Sequence, residues 1–122
     1  MSVTCVRVHD LVSGRADPGD AYVVLVDRLW PRGVGKESFR HDEWCKDAAP
    51  SPELRTEFHG SGLDFDEFAE RYRAELSRGR AADAARHLTS VARDRDLVLA
   101  YAARDTEHNH ALVLAEVVTE TR

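Results

Sequence analysis

The sequence predicts an α/β domain, a small and mostly parallel sheet of about three strands with helices packed on its faces. Ala21-Tyr22-Val23-Val24-Leu25-Val26 and Leu97-Val98-Leu99-Ala100-Tyr101 are short, continuous apolar runs free of Gly and Pro, as expected of strands covered on both sides. The long segment between them is rich in helical periodicity, and a helical crossover brings two buried strands parallel. Both runs end abruptly in charge, at Asp27-Arg28 and at Arg104-Asp105, so a parallel crossover delivers both tips to one sheet edge.

Each element follows from local pattern. Val3 to Val8 alternates loosely, with Cys5 and Arg7 opposite Val6 and Val8, and reads as a half-covered strand near a sheet edge. Asp17-Pro18-Gly19-Asp20 marks a turn, and the segment from Leu11 to Asp20 is marginal in length for a crossover, leaving the first strand's direction open. Ala21 to Val26 is the central strand. From Leu29 to Asp47, Pro31, Gly33, Gly35 and mixed charge defeat periodicity, as in a lid or binding loop, here with Trp30, Phe39 and Trp44 as anchors and one short helical turn.

Ser51 and Pro52 form a helix start leading to Phe58, and Gly60-Ser61-Gly62 stops it. Asp64 and Glu67 have capping-box spacing, with Phe65, Phe68, Ala69, Tyr72 and Leu76 on one face of the helix that follows. Its other side, Glu70-Arg71-Arg73-Glu75, reads as a solvated surface. Gly79 breaks the chain, and Ala81, Ala84, Ala85, Leu88, Val91 and Ala92 outline another helix ending near Arg93-Asp94-Arg95. After the last strand, Asp105 or Thr106 is expected to cap the final helix, with Glu107 at its positive end and Ala111 to Ala115 as its body.

At 122 residues the chain is expected to be one complete domain, 1–122, able to bury a core without disulfides or a structural metal. Seventeen Lys+Arg against 22 Asp+Glu give a formal charge of −5, which argues against a surface built to coat nucleic acid. Cys5 and Cys45 form no metal-type pair and read as free thiols. No segment approaches membrane-spanning length and the start lacks a signal-peptide pattern, so the cytoplasm is the expected compartment. Nothing indicates an oligomeric state or a cofactor.

Val24 to Val34, Ala48-Ala49-Pro50-Ser51, Arg71 to Leu76 and Tyr101 to Ala111 resemble the YeaO-like family, domain of unknown function 488. The strongest segments are Arg28-Leu29-Trp30-Pro31-Arg32-Gly33 and Glu107-His108-Asn109-His110-Ala111, and the resemblance runs from Arg7 onward. It implies a bacterial protein and names no activity. Three positions depart from it: Cys45 replaces an aliphatic residue, His9 a tyrosine and Arg104 the more frequent lysine. The first argues against Cys45 as a nucleophile of the family.

The charged corner has two readings. In one, Arg28, Arg32 and Arg104 hold a phosphate or carboxylate beside free helix N–H groups, because guanidinium forks fit oxyanions bidentately. In the other they pair with Asp27, Asp42 and Asp105 and pin the loop to the sheet. His108 and His110 could exchange protons, but on a regular helix they stand about 200° apart, so His108 is assigned to the crevice and His110 to packing or capping. Asp27 would share proton handling with His108, and Asn109 would orient the ligand. Trp30 could stack on a nucleobase or clamp the loop. HExxH, glycine-rich phosphate-loop and GxSxG patterns are absent, no metal site is assigned, and Cys5, Cys45 and Ser38 read as structural.

The expected function is binding of an anionic small molecule, with a nucleotide as one candidate, at the strand ends, with acid–base or hydrolytic chemistry as an extension. The alternative is a non-catalytic module docking a protein or nucleic acid.

Overall fold

The computed structural model describes residues 2–60 and 62–121; Met1, Ser61 and Arg122 and the Thr121 side chain lie outside the described residues, including the centre of the expected glycine stop. The elements run β1 (Val3–Arg7), α1 (Val8–Ser13), β2 (Tyr22–Leu25), β3 (Glu43–Trp44), a 3-10 turn (Lys46–Ala48), α2 (Pro52–Gly60), α3 (Phe65–Glu75), α4 (Gly79–Asp94), β4 (Leu97–Tyr101) and α5 (His110–Thr121). The sheet has four strands in the order β1-β4-β2-β3. All pairs are parallel, with Val3 opposite Leu97 and Tyr22 also opposite Leu97, which settles the direction of the first strand.

β4 is completely buried because its run of apolar side chains has a neighbouring strand on each edge and a packed layer on each face. Val24, Val26, Leu97 and Leu99 point to the layer formed by α2 to α5, where Phe68, Tyr72, Leu88 and Leu114 complete the core. Burying side chains of this size contributes about 1.5–3 kcal/mol each before chain entropy is counted. Val23, Leu25, Val98 and Ala100 point the other way, to α1 and to a cover made of Trp30, Val34, Phe39 and Trp44. The irregular segment thus serves as the second wall of the core. Trp30 stands at centroid distances of 5.4 Å from Trp44 and 5.9 Å from Phe39, with tilted or edge-on geometry that aromatic rings favour.

Two expectations are corrected. The segment after β2 includes a fourth strand, β3, and just beyond it the Cys45 N–H donates to the Leu25 carbonyl at 2.9 Å. The last helix begins at His110, later than the Asp105-Thr106 signal suggests. Asn109 is its cap, its Oδ1 accepting from the Leu112 N–H at 3.2 Å, while Asp105 closes a separate turn by accepting from the Glu107 and His108 N–H groups. The expected caps at Ser51 and Asp64 are present, accepting from the Leu54 and Glu67 N–H groups. The charged side of α3 is only partly a free surface, because Arg73 bridges to Glu116 and Glu120 and Glu75 accepts from both the N–H and the hydroxyl of Ser51.

Candidate functional site

A cavity of about 430 Å³ opens beyond the carboxyl ends of β2 and β4. It falls within the usual size range of small-molecule pockets and at the usual place in an open parallel sheet. The strand tips meet there because Asp27 joins them. Its Oδ2 accepts from the Ala102 N–H at 3.0 Å, and its carbonyl accepts from Trp44 Nε1 at 2.7 Å. The carboxylate therefore holds the end of β2 beside the end of β4, and the aromatic cover holds Asp27 from behind.

Asp27, Arg28, Trp30, Arg32, Arg104, His108, Asn109 and His110 all line this one cavity. They differ in what else they do. Arg28 donates from Nε to the Pro50 carbonyl at 3.3 Å and from Nη2 to the Ala49 carbonyl at 3.2 Å, so its guanidinium latches the turn that launches α2. Among the described residues Arg32 and Arg104 are exposed and enter no ion pair, so the Arg–Asp pairing expected of a pinned loop is not formed. Arg32 sits at the tip of a tight turn in which the Val34 N–H donates to the Pro31 carbonyl and Gly33 takes a φ of +78°, a conformation that suits glycine. Trp30 donates from Nε1 to the Val34 carbonyl at 2.7 Å, steadying that turn.

Both histidines line the cavity, at different depths. His108 is exposed at the mouth, its Nδ1 3.2 Å from Asp105 Oδ2 and its ring edge-on to Phe65. Hydrogen bonds from the Glu107 and His108 N–H groups hold the Asp105 carboxyl below its ordinary range, keeping it anionic. His110 is the deeper of the two, with 15% of its side chain exposed, and it pairs with Asp27 at 3.0 Å. Since α5 starts at His110, His108 lies in a turn and the helical-wheel argument separating the two does not apply. Asn109 is buried, with its amide joined to the Asp105 carbonyl and its oxygen to the Leu112 N–H, so it shapes the wall with both polar ends engaged inside the chain.

Helix α2 supplies a third side that the sequence reading missed. Arg55, Phe58 and His59 all line the cavity. Their i, i+3, i+4 spacing was the available signal, since it places all three on one face of a helix. Burial, the Arg55 charge and the nearby His110 together push His59 below the ordinary imidazole range. Four arginines and three histidines thus face one carboxylate, Asp27, in a chain whose formal charge is −5. Phe58, Phe68, Pro50 and Leu29 add apolar wall.

A family model described as the inactive DUF488-N3 subclade matches residues 2–122. The chain belongs to the DUF488 family. It is 44% identical over 116 residues to the uncharacterised protein YeaO of Escherichia coli strain K12, spanning 95% of this chain and 96% of that one. It is 45% identical over 103 residues, 84% of each chain, to an uncharacterised protein of Mycobacterium tuberculosis strain H37Rv. No solved structure gives a significant match. The two segments that carry the resemblance to DUF488 proteins, Arg28 to Arg32 and His108 to His110, both line the cavity.

Neither thiol of this DUF488 chain is set up as a nucleophile. Burial pushes Cys5 up to about 11 and Cys45 likewise to about 11, so both stay protonated at neutral pH, and neither lines the cavity. Among the described residues no cluster of His, Cys, Asp or Glu could hold a metal ion, and no helix is long and apolar enough to cross a membrane.

Proposed function

We propose that the cavity binds a small molecule carrying a phosphate or carboxylate, and that it does so without chemical turnover. The observation that carries this reading is the concentration of four arginines and three histidines against a single carboxylate in an otherwise acidic chain. Arg32 and Arg104, which are exposed and enter no ion pair among the described residues, stand ready for a ligand oxyanion. The apolar wall of Phe58 and Pro50 suits a ligand with a flat or aliphatic body, and a nucleotide meets both requirements. Two points favour binding over catalysis: the thiols are protonated, and the matching subclade is described as inactive. The free thiols, Cys45 buried and Cys5 half-buried, fit a reducing compartment such as the cytoplasm.

Acid–base turnover is the second reading, and the 3.0 Å approach of His110 to Asp27 favours it, since an imidazole beside a carboxylate is a common proton-transfer arrangement. Titration calorimetry with inorganic phosphate, phenyl phosphate, a nucleoside monophosphate and benzoate separates the readings. Saturable binding with recovery of the ligand unchanged supports the first, and release of phosphate or alcohol supports the second. No heat and no thermal stabilisation from any of these anions at millimolar concentration would overturn both.

A further inference from the structure

His110 Nε2 lies 3.0 Å from the Val26 carbonyl and 3.0 Å from Asp27 Oδ1. A carbonyl only accepts, so Nε2 carries a proton, and the neutral ring has its lone pair on Nδ1. One N–H cannot serve two acceptors well. It aligns with the Val26 carbonyl, and Asp27 Oδ1 is left buried without a hydrogen-bond donor. A buried carboxylate oxygen without a donor is costly, and a positive charge on the adjacent ring offsets that cost by Coulomb attraction. Among the described residues no hydrogen bond is made to Nδ1 of His110, and His110 is one of the residues lining the cavity.

The charged and polar groups around His110 come from several elements. Arg28 from the loop after β2 and Arg55 and His59 from α2 share its cavity, the positive end of α5 lies at its own backbone, Tyr72 of α3 meets the ring edge-on, and Asp27 is the carboxylate beside it. The balance changes when an oxyanion enters, because the anion offsets the arginines and needs a donor where Nδ1 offers a lone pair.

We propose that anion binding in this cavity is coupled to the uptake of one proton at His110, whose Nδ1 then donates to the oxyanion while Asp27 balances the imidazolium. This rests on the anion-binding reading and deepens it by assigning its specificity-determining group. The proton comes from solvent and stays on the ring, so no bond in the ligand is broken. Affinity then depends on pH. Above the imidazole range, each proton taken up with the ligand lowers affinity by up to about tenfold per pH unit.

The test is calorimetry with sulfate, which does not itself titrate between about pH 6 and about pH 8.5, in buffers of different ionisation enthalpy. The expected result at about pH 7.5 is uptake of close to one proton per sulfate bound. In His110→Gln the uptake disappears, whereas His87→Gln, at an exposed position of α4 that does not line the cavity, retains it. Binding without uptake in the wild type, or uptake that survives His110→Gln, overturns the coupling while leaving the anion cavity intact. Absence of sulfate and phosphate binding at every pH overturns the cavity reading itself. Should His110→Gln fail to fold, ring-nitrogen NMR of the wild type replaces it. A proton appearing on Nδ1 when sulfate is added supports the proposal, and an unchanged Nδ1 overturns it.

Discussion

Arg28 and Arg104 bring the same charge to the same cavity with opposite structural commitments. Arg28 is bound to the Ala49 and Pro50 carbonyls, so Arg28→Ala strands two acceptors and should lower unfolding free energy by about 2–3 kcal/mol in urea titrations. Arg104 has no such bonds and is exposed. Arg104→Ala should therefore leave stability within about 0.5 kcal/mol of wild type, while weakening phosphate binding by roughly tenfold in calorimetry. The reverse pattern, an Arg104 variant that unfolds, would show that this guanidinium is structural. Both thiols are held up near 11, so a thiol reagent at about pH 8 should label Cys5 and Cys45 slowly in the folded protein and fast in denaturant.

Among the elements, the start of α5 separates what sequence pattern can and cannot convey. The Asp105-Thr106 capping signal is real, but it is used by a turn one step earlier, and the helix waits for Asn109. Asn109→Ala should cost about 1–2 kcal/mol, because the Leu112 N–H loses its acceptor at a buried position, whereas Asp105→Ala acts at an exposed turn and should cost less. Denaturant midpoints of the two variants decide which residue is the cap. β2 and β4 were legible because continuous apolar runs permit few alternatives, and α3 and α4 because their apolar stripes repeat every three to four residues. β3 was not, since two residues, Glu43 and Trp44, contain no periodicity and pair only because Asp27 and the tryptophans hold the strand in place. The contribution of α2 to the cavity escaped notice for a related reason. Arg55 and His59 are polar residues on a short helix, and only tertiary placement reveals what they face.

Across the whole molecule, several buried groups require the neutral form. Cys5 and Cys45 are raised to about 11 by burial, and burial raises Tyr72, whose hydroxyl bonds to the Ala48 carbonyl, well above its ordinary value. A folded-state value above the unfolded one means stability is full below the unfolded value and lost as pH rises through the folded one. Stability should thus hold to about pH 9 and fall between about pH 9 and about pH 11, which circular dichroism can follow. A flat profile there would mean that these groups ionise without unfolding. The strand order has a further consequence for how the protein is made. β1, at one margin of the sheet, pairs among the described strands with β4, and Ser2 is tied to Asp96 across 94 positions of chain. During translation the first strand therefore emerges long before its partner strand exists, and the centre of the sheet is among the last parts to leave the ribosome. Nascent chains stalled before Leu97 should remain protease-sensitive throughout, and folding should register as one late event once α5 has cleared the exit tunnel.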